Sequence, residues 1–73
     1  MSKFTKNETS ILDAHGFTVG RYSASKYFTG GMVVIGKVIT GGYTRQIVEI
    51  AENGNRKIHP CQRFEKFRQA LNG

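Results

Sequence analysis

Two stretches of apolar periodicity dominate the middle of the chain. "MVVIGKVIT" (residues 32–40) is rich in β-branched side chains and predicts a strand, and "YTRQIVEIAE" (residues 43–52) predicts the next. Gly41 and Gly42 separate them. If these glycines form a two-residue turn, Thr40 faces Tyr43, Val38 faces Arg45, Ile35 faces Val48 and Val33 faces Ile50. Val33, Ile35, Val48 and Ile50 then make one contiguous apolar face. Met32, Val34, Gly36, Val38, Tyr43, Arg45, Ile47 and Glu49 make the mixed one. A one-residue slip would exchange the faces, so the pattern argues for this register.

The flanks carry weaker signals. "FTKNETSILDAHG" holds Thr5 and, three residues on, Glu8, the spacing of a capping box, with Gly16 placed for a left-handed C-terminal cap. A helix of about two turns follows from these marks, though it needs tertiary packing. An irregular N-terminal arm competes with it, because Thr9 and Ser10 weaken the helix. "FTVGRY" (residues 17–22) predicts a first strand with Phe17 and Val19 on one face, and "SASKYFTGG" reads as a loop. Asn53-Gly54 marks a turn, with Arg56–Ile58 as a short edge strand after it. In "HPCQRFEKFRQALNG", Pro60 suits a first helical position. Cys61, Phe64, Phe67, Arg68 and Leu71 then recur at spacings of three and four, which predicts an amphipathic helix with Cys61 buried on its apolar stripe. The expected fold is α+β: a small antiparallel β-meander of about three strands, a short N-terminal helix or arm, and a C-terminal amphipathic helix packed on the sheet. One domain, residues 1–73, is expected from the length.

The repeated Thr-Gly-Gly (residues 29–31 and 40–42) raises the question of a phosphate loop. Such a loop leads its glycines into a helix N-terminus, whose N–H groups hold the anion. Here each Gly-Gly leads into a predicted strand, and no Gly-Lys-Ser or Gly-Lys-Thr follows. Two turns of a small sheet are therefore expected.

Charge adds a direction. The net charge is +6. Residues 1–37 carry five basic and two acidic side chains, residues 38–55 one and two, and residues 56–73 five and one. A field of this sign suits an anionic partner, whether nucleic acid, an acidic protein face or an anionic membrane surface, and it also serves simple solubility. A membrane span would need roughly 20 apolar residues, and no stretch approaches that. "MSKFTKNETS" lacks the apolar region of a signal peptide, and the single Cys61 permits no internal disulfide, so a reducing cytoplasm is expected.

Candidate chemistry is sparse. His59 and Cys61 stand close, but one Cys, two His and scattered carboxylates have no zinc-like spacing and no triad pattern. No catalytic residue, metal or cofactor is expected. The basic side chains Arg56, Lys57, Arg63 and Lys66 are the candidate contact surface, with Tyr43 and Arg45 beside them, since Tyr and Arg are enriched at protein interfaces. Aromatic residues interleaved with Arg21, Lys26 and Arg45 would equally serve stacking on nucleic-acid bases.

Taken whole, the chain resembles small lytic-phage transcription regulators that attach to bacterial RNA polymerase. The resemblance rests on its 73 residues, the segment "MSKFTKNETSILDAHG", the meander "GGMVVIGKVITGGYTRQIVEI" and the basic end "CQRFEKFRQALNG". It implies a non-enzymatic protein that acts in the bacterial host cytoplasm. Such a protein binds the N-terminal region of the polymerase β′ subunit, inhibits initiation at host promoters and lets elongating polymerase pass terminators. It assigns no site residues. The alternative is a small basic module that binds DNA or RNA directly.

Overall fold

A computed structural model of the chain describes residues 3–72. Met1 and Ser2, part of the predicted N-terminal segment, and Gly73, part of the predicted last helix, lie outside the described residues. The order of elements is α1 (Lys6–Ala14), β1 (Thr18–Val19), β2 (Ser23–Phe28), β3 (Gly31–Lys37), β4 (Tyr43–Ile50), β5 (Arg56–Ile58), β6 (Gln62–Phe64) and α2 (Phe67–Asn72). The fold is α+β, with an antiparallel sheet larger than the three strands expected. Its order is β1-β2-β3-β4-β5, and β6 also pairs with β4. No described helix is long and apolar enough to cross a membrane.

Helix α1 forms as its caps dictate. Thr5 Oγ1 accepts from the Glu8 N–H at 3.1 Å, and Glu8 Oε1 accepts from the Thr5 N–H at 2.9 Å, completing the capping box. Gly16 closes the helix at φ +84°, a conformation that a side chain strongly disfavours. The chain then turns Phe17 into the core, where Leu12 also lies. Only Thr18 and Val19 of the predicted first strand pair, with Ser25 and Ala24.

The stretch read as a loop, Ser23–Phe28, is instead strand β2, paired along its whole length from Ser23 opposite Gly36 to Phe28 opposite Gly31. Its first four residues, Ser23–Lys26, are poor strand formers by themselves. The free edge of β3 supplies the missing drive, because backbone groups beside a buried strand need partners. Ala24, opposite Ile35, is buried beneath the core.

Both glycines between the long strands do turn the chain, with φ +111° at Gly41 and +89° at Gly42. The register differs from the expected one. Lys37, not Thr40, stands opposite Tyr43, and Ile35 opposes Arg45 while Val33 opposes Ile47. Residues 38–42 form a wider loop, closed by the Val38 N–H donating to the Gly42 carbonyl at 3.0 Å. The offset is an odd number of residues, so β4 shows the core its other face. Tyr43 and Ile47 pack against the buried cluster of Leu12, Phe17, Ala24, Val33, Ile35 and Ala70. Val48 and Ile50 point to the far side.

The C-terminal segment departs most from the helical reading. Gln62–Phe64 extend as β6, opposite Arg45, Thr44 and Tyr43. Only Phe67–Asn72 are helical. Pro60 precedes the strand, and Cys61 is exposed rather than buried. The upper half of β4 would otherwise present unpaired N–H and C=O groups, and β6 satisfies them. The predicted stripe survives in part: Phe64, Phe67 and Leu71 pack against the core, Arg68 is exposed, and Ala70, outside the stripe, is buried.

This register makes a test. Ile35→Ala should cost about 2–5 kcal/mol, as for a fully buried side chain, while Val48→Ala, on the far face, should cost less than half as much. Urea unfolding of both variants measures the difference. Equal losses would mean that Val48 shares the core.

Candidate interaction surface

The sheet has two unlike faces. Directly opposed residues of neighbouring strands share a face, so the register sorts every side chain. The inner face holds Ala24, Val33, Ile35, Tyr43, Ile47 and Phe64 and is covered by α1, α2 and the turn at Phe17. The outer face has no helix on it. Across it runs one row of side chains: Tyr27 opposes Met32, Met32 opposes Val48, and Val48 opposes Ile58. Tyr27 is 70% and Ile58 65% exposed at the two ends of this row. Val34 and Ile50 adjoin it, both half-buried.

The structure redistributes the predicted contact residues. Arg56 lies opposite Ile50 and Arg63 opposite Thr44, so both stand on the outer face, near the two ends of β4. At about 3.3 Å per residue, those positions are roughly 20 Å apart. Lys57 opposes Glu49 on the inner side of the sheet, beyond the helices' cover. Lys66 sits in the bend before α2 and is exposed. The four basic residues are therefore not one cluster. Two bracket the outer face, and two lie elsewhere.

Tyr43 and Arg45 are committed to the fold. Arg45 Nη1 donates to the carbonyls of Ala70 at 2.9 Å and Leu71 at 3.0 Å, satisfying the end of α2. The Tyr43 hydroxyl donates to Glu8 Oε2, and Lys37 Nζ donates to Glu8 Oε1 at 2.8 Å. The Tyr43 ring also packs on Phe67, with centroids 5.4 Å apart. Nothing in residue spacing links position 8 to positions 37 and 43; only the β3–β4 register brings them together.

This network sets two unusual ionisations. Burial alone would push the Glu8 carboxyl up, but the hydrogen bonds from Lys37, the Thr5 N–H and Tyr43, with the Lys37 charge, outweigh it and hold the group at about 2. Burial, and the hydrogen bond to the Glu8 carboxylate and its charge, push the Tyr43 phenol up to about 12.

Among the described residues, no group of three or more His, Cys, Asp or Glu side chains could hold a metal ion. His59 Nε2 lies 3.3 Å from Glu49 Oε2, on a half-exposed edge. Each Gly-Gly leads into a strand, Gly31 opening β3 and Tyr43 following Gly42 into β4. The chain matches no protein-family model and shows no significant similarity to a curated protein or a solved structure.

The Glu8 network fixes a pH dependence. The Glu8 carboxyl sits below its ordinary value of 4.5 when folded, so its contribution is complete above that pH and is lost as pH falls from 4.5 through about 2. The Tyr43 phenol sits above 10, so its contribution is complete below pH 10 and is lost as pH rises through about 12. Glu8→Gln should lower stability at pH 7 by about 1–3 kcal/mol, as for hydrogen bonds to a charged group, and flatten the acid limb. Urea midpoints of wild type and variant between pH 7 and pH 2.5 check this. Parallel pH profiles would remove Glu8 as the cause.

Proposed function

We propose that the chain is a non-enzymatic transcription regulator of the lytic-phage type, acting in the bacterial cytoplasm on the host RNA polymerase. In this reading it attaches to the N-terminal region of the β′ subunit, inhibits initiation at host promoters and allows read-through of terminators. The resemblance of the chain supplies the target. The observation that carries a binding role is the outer face of the sheet, with an uncovered apolar row from Tyr27 to Ile58, beside Arg56. Six strands and two helices are organised around a single core, and that face is left over.

A domain of this size can act without chemistry. A standard interface takes about 800 Å² from each partner, and the whole accessible surface of the described residues is 5222 Å². Covering one polymerase surface is enough to exclude a competing contact there. The basic rim would speed the encounter with an acidic patch.

Direct binding to nucleic acid is the second reading, favoured by the net charge of +6 and the exposed ring of Tyr27. It fits the outer face less well. Single-stranded nucleic acid uses aromatic platforms for its bases, whereas the side chains between the ends of this row are Met32 and Val48.

The purified chain, immobilised and exposed to nuclease-treated bacterial lysate, should retain RNA polymerase. Its association rate with purified polymerase should fall as salt rises, because the encounter is steered by charge. Loss of polymerase on nuclease treatment, together with tight binding to bare duplex DNA and a steep salt slope, would replace this reading with the nucleic-acid one.

A further inference from the structure

The outer face also says what kind of surface fits it. An antiparallel sheet that leaves one face to water normally alternates, apolar inward and polar outward. Strand β3 and the second half of β4 break that rule: Met32, Val34, Val48 and Ile50 point outward although Val33, Ile35 and Ile47 already fill the core, while Thr44 and Gln46, towards Arg63, keep to it. Among the strand residues that point to this face, Arg56 and Arg63 are the only charged ones. None of those strand residues is a carboxylate; Glu65, in the bend just after β6, borders the same hollow as Arg63.

We propose that this face docks an acidic amphipathic helix of a partner protein, laid along β3 and β4. Its apolar side would cover Met32, Val34, Val48 and Ile58, and carboxylates towards its two ends would meet Arg56 and Arg63. The proposal rests on the protein-binding reading above and names the chemistry of the partner. Helices cover the inner face of this same sheet, and a helix on the outer face would complete a three-layer arrangement. The roughly 20 Å between the two arginine positions corresponds to about 13 helical residues at 1.5 Å each. A second copy of the chain is a poor occupant. Face-to-face pairing would bring two arginine-bearing surfaces together with no carboxylate among the strand residues of either. Strand addition is poorly served as well, because the edges are short: β1 has two residues, β5 and β6 three each, and β2 extends past β1 only over Lys26–Phe28.

The test uses Ile58→Asp and the double reversal Arg56→Glu with Arg63→Glu, against Lys57→Glu as control. Lys57 neighbours Arg56 in sequence but points to the other side of the sheet. All four positions are exposed, and unchanged thermal midpoints would show intact folds. Affinity for purified RNA polymerase should fall by at least about tenfold for the first two variants and stay within about twofold for Lys57→Glu. If wild type binds polymerase and all variants bind equally well, the face proposal is wrong while the polymerase reading stands. If wild type does not bind polymerase, that reading falls. The face is then decided by a photo-crosslinking residue at position 58 in bacterial lysate, with the crosslinked peptide sequenced. An amphipathic helical segment rich in Asp and Glu supports the proposal. A crosslink to nucleic acid, to a second copy or to a segment without that chemistry, or no crosslink at all, overturns it.

Discussion

Tyr43 stands opposite Lys37 in the β3–β4 ladder, and most of the molecule follows from that phase. It turns Tyr43, Arg45 and Ile47 towards the helices. Tyr43 and Lys37 then converge on Glu8, which is already bound to the N-terminus of α1 through the capping box. Arg45 reaches the last carbonyls of α2. One register thus ties both helices to the same sheet through polar contacts at their termini. Each helix is too short to hold itself.

The core that these contacts frame is small. Leu12 and Ile35 are its only large side chains with no exposure among the described residues. A chain of this length buries only about 60% of the surface exposed on unfolding, so each additional paired backbone group carries weight. That accounts for β6. Three residues of the C-terminal segment complete the edge of β4 instead of extending α2, and they still deliver Phe64 to the core.

The same phase gives the protein its outer surface. By sending Ile47 inward it sends Val48 and Ile50 outward, where they join Met32 and Val34. Apolar area that a closed domain would have buried is displayed instead, beside Arg56. Core packing and the proposed recognition therefore fall on opposite faces of the sheet. Substitutions that alter binding through Ile58 or Arg56 need not disturb the core, while changes at Ile35 should act on the fold.

Local chemistry was legible in the sequence where it is local in space. Thr5, Glu8 and Gly16 announced α1, Gly41 and Gly42 announced a turn, and Asn53-Gly54 announced the edge strand Arg56–Ile58. The weakness of the sequence signal for β2 also has a physical reason: Ser23–Lys26 are held by the ladder to β3, not by their own preference. The β3–β4 register misled because β4 has apolar side chains on both faces, Ile47 on one and Val48 and Ile50 on the other. Alternation alone therefore could not choose between them. Of the candidate contact residues, the sequence established the charges but not their grouping. Six positions along β4 separate the partners of Arg56 and Arg63, and a one-residue step sends Arg56 and Lys57 to opposite sides. Tyr43 and Arg45 looked like surface groups until tertiary structure gave them a carboxylate and a helix end to bind. Sequence determined which turns and caps could form; long-range pairing decided which face of β4 became core and which stayed uncovered.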